Sequence, residues 1–489
     1  MNRHLTIGPF NRVEGDLEVR LEIAAGRVAS AEVSSSLYRG FEHILLGKHP
    51  LDALVIVPRI CGICSVSQSA AAAAALAAAA ALEMPANGRL ASNLILACEN
   101  LADHLTHFYL YFMPDFGRDE YRACAWHGAA ARRFKATTGA ALREVLPARA
   151  DLLRLMGYLA GKWPHSLALQ PGGTTRAVTA TEKVRLLAVL REFRAFLGAT
   201  VFGDALENVS AIGSADELAA WAQGRPADLP RFIEIAGALG LSRLGRATDR
   251  FLSYGAYPAP GQSDACGEHL FARGIWQGVG QPFDEQLVSE DVAHAWLFGE
   301  RPLHPLHGET RPLVGEFADK AGAYTWCKAP RYDHGVVETG ALARQMVAGQ
   351  PLVRALVAAE GGSVLARVVA RLLELALVVP AMEDWVCALI PGEPFCAPWQ
   401  LPEQAGAVGL VEAARGALGH WLRIERGRIA GYQIIAPTTW NFSPRDAAGV
   451  PGALEQALAG LPVGEGESIP AVVQHVVRSF DPCMVCTVH

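Results

Sequence analysis

Leu17, Val19, Leu21 and Ile23 alternate with polar or small residues, the two-residue period of a strand with one buried face. The sequence AAGR then reads as a turn into VASAEVS, so residues 5–35 are predicted to be strands. From residue 65 to about 200 the pattern is mostly helical. It opens with SQSAAAAAALAAAAALEMP, a run of alanine bounded by Gln68 and Glu83. Alanine is nearly neutral toward a bilayer, so this run predicts a buried helix of a soluble protein. Its small side chains let neighbouring helices or a ligand approach closely. LILACENLADHLTHFYLYF predicts a long apolar helix. Residues 203–330 are rich in Gly and Pro and predict loops with short elements. A second helical block covers 337–390. Its clearest piece has Ser363 as N-cap, followed by Val364, Leu365, Val368, Val369, Leu372 and Leu373 at helical spacing. Pro380 is predicted to end that piece. WLRIERGRIAGYQIIAP returns to strand character at 420–440. With no repeat or linker, the pattern predicts one α+β domain over 1–489, mainly helical, with small sheets from both ends of the chain.

Composition narrows the class. The chain is 51% hydrophobic and 19% charged, enough apolar surface for a core. Net charge is −6 with no long basic run, which argues against a nucleic-acid partner. The segment MNRHLTIGPFNRVEG has no apolar core of a secretion signal, so a cytoplasmic protein is expected. Ten cysteines in no dense framework fit a reducing compartment, where CxxC pairs more often mean metal or redox chemistry.

Two such pairs stand near opposite ends of the chain. PRICGICSVSQ carries Cys61 and Cys64; SFDPCMVCTVH carries Cys483 and Cys486, with His489 three residues on. Two intervening residues let both thiolates of a pair point at one ion. Four soft sulfurs suit zinc, an iron–sulfur cluster or nickel. A structural zinc site usually draws its ligands from one short stretch, so a site joining both ends is expected at the centre of the fold. The other cysteines, at 98, 124, 266, 327, 387 and 396, show no spacing and are expected to be core residues.

RxCGxC with DPCxxCxxH resembles the large subunit of nickel–iron hydrogenases. NRVEGDLEV, YRGFE, ENLADHLTHFY, KWPH with QPGG, KAGAYTWCKAPRY, EAARGALGHW and APTTWNFSPRD extend the resemblance over nearly the whole chain. A distant relative, the quinone-site subunit of respiratory complex I, lacks the four cysteines. The resemblance implies the large-subunit fold, with a central bundle of long helices and small peripheral sheets. It implies nickel held by all four thiolates. Cys64 and Cys486 would bridge to an iron carrying carbon monoxide and cyanide, and Cys61 and Cys483 would bind nickel alone. Cys483 would accept the proton when dihydrogen splits.

The same resemblance assigns roles around the metals. Glu14 matches the first proton relay, against a plain salt bridge with Arg12 or another arginine. Arg415 matches the arginine over the open face of the metals, held by Asp103 and Asp481. His104 and His107 share a helix at i, i+3 but are expected to be satisfied core histidines. Pro437 and Thr438 match a Pro-Ser pair that hydrogen-bonds an iron-bound cyanide, with Ala436 contributing backbone. A divalent ion, usually magnesium, would bind Glu42, the carbonyl of Ile434 and His489. An iron–sulfur small subunit is the implied partner, in a heterodimer or dimer of heterodimers that is not itself membrane-spanning.

Three departures refine the expectation. Gln68 stands where most catalytic members have histidine, Ala414 where most have proline, and the sequence ends at His489 where most carry a removable extension. Together they resemble the regulatory, hydrogen-sensing subgroup, a low-turnover hydrogenase signalling to a histidine kinase. A respiratory uptake hydrogenase at a membrane is the alternative, and a zinc-stabilised scaffold a third. Ile63 and Tyr111 align with positions that narrow the gas path in the family, which would restrict dioxygen more than dihydrogen; plain core packing is the other reading.

Overall fold

The computed structural model describes residues 3–260, 267–314 and 320–489. The alternating segment forms an antiparallel meander of β1 (Arg3–Ile7), β2 (Leu17–Ala24) and β3 (Arg27–Ser35). Leu17, Val19, Leu21 and Ile23 are all buried, as a two-residue period requires. The alanine run is helix α1 (Ser65–Ala79), and the next apolar segment is α2 (Ala86–Thr106). α2 passes into a π-helical turn at His107–Phe112.

The stretch 203–330 is more regular than expected. It contains helices Ala215–Ala222 and Asp228–Leu239 and the antiparallel pair β4 (Phe251–Pro258) and β5 (His269–Trp276). The residues that suggested loops are its boundaries. Pro230 sits in the first turn of Asp228–Leu239, and Gly240, at φ 63°, closes its end.

Next come α3 (Ala341–Ala348) and α4 (Val364–Ala388). Ser363 caps α4 as expected, its Oγ accepting from the Ala366 N–H at 3.2 Å. Pro380 does not end α4, however. The helix continues for two more turns because its buried stripe resumes beyond the proline at Met382 and Val386. Burial there offsets the lost backbone hydrogen bond, which costs about 3 kcal/mol in an exposed helix. α4 packs against α2 and the helix Ala180–Phe196, forming the long-helix centre. Of the six other cysteines, Cys98 and Cys327 are buried, Cys124 and Cys396 partly so, and Cys387 is exposed near the end of α4. Cys387 is therefore no core residue, and Cys266 lies outside the described residues.

A second meander of β6 (Gln404–Ala413), β7 (Gly416–Glu425) and β8 (Arg428–Ile435) follows. β6 has no counterpart in the predicted pattern, since QAGAVG is too small to show an alternation. That smallness has a use. A Cβ on Gly409 would stand 2.0 Å from the Ala71 carbonyl oxygen and 2.4 Å from the Ala75 nitrogen. Helix α1 thus lies backbone to backbone on β6; the close approach expected of the alanine run is made by a strand rather than by a helix or a ligand. Short helices α5 (Pro437–Asn441) and α7 (Met484–Thr487), with α6 (Ala471–Ser479) between them, complete the chain. Among the described residues, no helix is long and apolar enough to cross a membrane.

Candidate metal centre

The two cysteine pairs meet. The four sulfurs lie within 4.8 Å of one another, with Cys64 and Cys486 3.1 Å apart, Cys483 and Cys486 3.0 Å, and Cys61 and Cys483 3.6 Å. A metal–sulfur bond is about 2.3 Å, so sulfurs on one ion stand at most about 4.6 Å apart. Cys61, Cys483 and Cys486 are buried, and Cys64 is partly exposed at a cavity wall.

Each pair is positioned differently. Cys64 is the N-cap of α1, where the helix dipole favours a thiolate. The amides of Val66 and Ser67, one step further in, both donate to the Glu99 carboxylate of α2 at 2.9 Å. Cys483 is the N-cap of α7, a single turn. That turn is fixed from outside. The Glu14 N–H donates to the Pro482 carbonyl at 3.3 Å, and the Met484 N–H to the Glu14 carbonyl at 2.7 Å, a parallel bridge between Glu14 and Cys483. Gly15 has φ +81°, and a Cβ there would stand 2.9 Å from the Val485 nitrogen, so the crossing requires glycine. Thr438 Oγ1 accepts from the Cys483 N–H at 3.1 Å.

Arg415 occupies the tip of the β6–β7 hairpin, whose turn is Ala414–Arg415. Its guanidinium lies 3.1 Å from Asp103 Oδ2 of α2 and 3.3 Å from Asp481 Oδ1. Its Nε donates to the Asp481 carbonyl at 3.0 Å. Burial opposes the charge on Arg415, but the two carboxylates more than offset it and hold the group protonated. Burial raises Asp103 to about 7 despite Arg415. It also opposes ionisation of Asp481, but Arg415 prevails there and holds that group below its ordinary value. Glu14 is half-buried and raised, first by burial and then by the charge of Cys61. Arg12 pairs with Asp115, and none of the ion pairs described involves Glu14.

A narrow cavity faces the sulfurs. Ile63, Gln68, Asp103, Arg415, Pro437 and Thr438 contribute to its walls. Gln68 Oε1 accepts from His420 Nε2–H at 2.8 Å; burial lowers His420 to about 3, so the ring is neutral. Ala436 is the N-cap of α5, which carries Pro437 and Thr438. Tyr111 does not line the cavity, but its phenol is raised by burial and feels the charges of Arg415, Glu14 and Asp103. His104 and His107 are buried and bonded, to Glu374 at 2.8 Å and to the Arg478 carbonyl at 2.7 Å. Neither faces the sulfurs as a ligand would.

A second cluster surrounds His489. Its Nε2 lies 2.8 Å from the Ile434 carbonyl and 3.6 Å from Glu42 Oε1. Burial works against ionised Glu42, but Lys328 and His489 lower it to about 2. Lys328 Nζ stands 3.3 Å from Glu42, 3.2 Å from Glu290 and 2.6 Å from Gln433 Oε1.

The donor set at the cage fits soft metal ions. Four thiols this close cannot all ionise alone. The neighbouring thiols hydrogen-bond to the Cys61 thiolate and lower its pKa, and the same contacts hold the Cys64 and Cys486 thiols protonated. Cys483 is raised chiefly by burial. Only a central positive charge lets all four be thiolates together. Such a cage, with a charged arginine over an adjoining cavity, defines a metalloenzyme whose centre is closed by the two ends of its chain.

Comparison with known proteins gives the family. A family model described as nickel-dependent hydrogenase matches residues 39–119 and 140–489, and the chain belongs to that family. It is 30% identical to the periplasmic [NiFeSe] hydrogenase large subunit of Desulfomicrobium baculatum, over 99% of this chain and 94% of that one. It is 27% identical to the Hydrogenase-2 large chain of Escherichia coli (100% and 97% covered) and to the uptake hydrogenase large subunit of Cupriavidus necator (100% and 95%). The reduced Ni-Fe-Se hydrogenase of D. vulgaris Hildenborough superimposes with a TM-score of 0.84 at 29% identity, each chain fully covered. The fold is thus that of the hydrogenase large subunit, and the protein is an oxidoreductase of dihydrogen whose four clustered cysteines could hold a metal ion.

Pattern reading missed two buried contributors. Glu99 stands one helical turn before Asp103 on the same face of α2, a spacing legible in CENLAD. Arg344, which donates to the carbonyls of Ala413 and Ala414, carries no such signal, because its partners are distant in sequence.

Proposed function

We propose that this subunit splits dihydrogen heterolytically, with Cys483 taking the proton and Glu14 passing it outward. A bound nickel–iron pair, the iron with carbon monoxide and cyanide, supplies the Lewis acidity and electron acceptance for the reaction. The observation that carries the reading is the backbone bridge between Glu14 and Cys483, which sets Glu14 at the cage; its carboxyl is raised by burial and by the charge of Cys61. A carboxyl raised toward neutrality exchanges protons more readily at physiological pH than an ordinary one. Arg415 presents its charge to the cavity, with Asp103 and Asp481 holding it there. Thr438 accepts from the Cys483 amide, which leaves its own hydroxyl proton free to donate toward a cyanide beside Pro437 and Ala436. Glu42, the Ile434 carbonyl and His489 would hold magnesium; the carboxylate and the carbonyl are the oxygen donors such an ion takes, with the imidazole of His489 beside them, and Lys328 stands next to the site. An iron–sulfur small subunit takes the electrons. The test is infrared absorption in the carbonyl and cyanide region together with hydrogen–deuterium exchange. Bands and exchange together support the reading, and zinc alone in the cage ends it.

Within that chemistry we propose hydrogen sensing, in the cytoplasm, through a histidine kinase. Gln68 supports it. A neutral amide already engaged by His420 cannot carry a proton beside the cage as a histidine there could, which suits low turnover. Ile63 at the cavity wall, with Tyr111 near the charged groups, would narrow gas entry. The named relatives of uptake and Hydrogenase-2 type favour the alternative, a respiratory uptake enzyme. Purification from the native cell separates the two: a hydrogen-responsive kinase supports sensing, and a membrane cytochrome supports uptake.

A further inference from the structure

The guanidinium of Arg344 is buried on α3 and reaches two parts of the molecule at once. On one side its Nη1 donates to the Ala413 carbonyl at 2.9 Å and its Nη2 to the Ala414 carbonyl at 3.2 Å. These are the residues immediately before Arg415 at the hairpin tip. On the other side its Nε and Nη2 donate to the two oxygens of Glu374 at 2.5 and 2.7 Å. Glu374 Oε2 accepts from His104 Nε2–H at 2.8 Å, and His104 follows Asp103 on α2. Glu412, the last charged residue of β6, closes the figure. It accepts from Arg344 Nη1 at 3.0 Å, and its carbonyl accepts from Asn100 of α2 at 3.1 Å.

We propose that Arg344 is a positioning residue for the reaction: it brackets the turn that carries Arg415 to the helix that carries Asp103, and so sets Arg415 over the metal cavity. A planar guanidinium with five donors spans both a carboxylate and two adjacent carbonyls; an ammonium spans one or the other. A two-residue turn has few backbone bonds of its own, so its tip depends on such a clamp. Arg344 is not itself among the residues lining the cavity; it meets the wall only from behind, at the carbonyls of Ala413 and Ala414, and its effect passes through the turn that carries Arg415. The inference rests on the role given to Arg415 above.

A double-substitution cycle on the complete, metal-loaded hydrogenase tests it, read as hydrogen-driven dye reduction at saturating hydrogen. R415K is expected to lower kcat by about 10²- to 10³-fold, as for loss of a preorganised charge. R344K is expected to lower kcat by roughly 10- to 100-fold through misplacement of the turn, with KM for hydrogen unchanged and nickel and iron still equimolar. In the R415K background, R344K is expected to cost less than about twofold, because the group it positions is gone. Equal losses in both backgrounds, or no loss from R344K alone, overturn the bracket and leave Arg415 standing. No loss from R415K overturns the Arg415 role itself. Should R344K not load metal, R344M/E374Q/E412Q, which removes the buried charges together, takes its place in the same cycle with the same outcomes.

Discussion

The two cysteine pairs perform one task by opposite means. Cys61 and Cys64 sit at the head of α1, a fifteen-residue helix pressed on β6 through Ala71, Ala75 and Gly409. Cys483 and Cys486 sit on a four-residue turn with almost no structure of its own. That turn is held by Glu14, Thr438 and the buried His489. One pair inherits its geometry from local secondary structure and the other from partners outside its own turn, Glu14 among them from the opposite end of the chain. A cage made this way has a rigid wall and an adjustable one, so damage to the two walls should have different signatures.

The bluntest way to break the comparison is to remove a sulfur. C61S and C486S should both abolish hydrogen-driven activity and leave no nickel by elemental analysis, because each pair supplies half of one cage. E14Q sharpens it. The backbone bridge survives this change, so nickel and iron should stay equimolar while turnover falls by about 10²- to 10⁴-fold, the usual worth of a general acid–base group. Loss of metal in E14Q would mean that the side chain, not the backbone, holds the second pair. G409A and G15A should then separate the walls. G409A forces α1 off β6 and should cost about 1–3 kcal/mol of stability, read as a lower Tm with the metal ratio kept. G15A meets the Val485 nitrogen and should lower metal occupancy more than Tm. T438V strands the buried Cys483 N–H and should cost about 1–3 kcal/mol, with T438S restoring it. The smallest effect is a titration. Burial raises Glu14 above the ordinary 4.5, so its protonated carboxyl band should persist above pH 4.5 in infrared difference spectra and be absent in E14Q. Because the folded chain binds this proton more tightly than the unfolded one, its contribution favours folding at low pH and is lost as pH rises through the raised value.

Legibility in the sequence followed the same division. The β1–β3 meander, α1 and the cap of α4 were readable because each obeys a short-range rule: alternation, a run of small residues, a serine before an apolar stripe. Pro380 misled, since a local breaker was outweighed by burial on its far side. Gly240 and Pro230 misled in the opposite sense, as boundary marks taken for the absence of structure. Both CxxC pairs were visible, and their union was anticipated from sulfur chemistry and family resemblance. The residues that support the second pair, Glu14, Thr438 and His489, were singled out by the resemblance, but the hydrogen bonds by which they hold the turn were not visible. A hydroxyl at Thr438 or a guanidinium at Arg344 has no local signature, because its partner's position is decided only by the completed fold.

The Glu14–Cys483 crossing also bears on the order of assembly. During synthesis, at roughly 5–20 residues per second, residues 483–486 emerge long after Glu14, Cys61, Cys64 and Thr438, which they meet in the folded chain. Until then Cys61 and Cys64 lack the two sulfurs that complete the cage. The four sulfurs therefore meet only when the Glu14–Cys483 pairing is made, and that pairing works as the clasp of the cage.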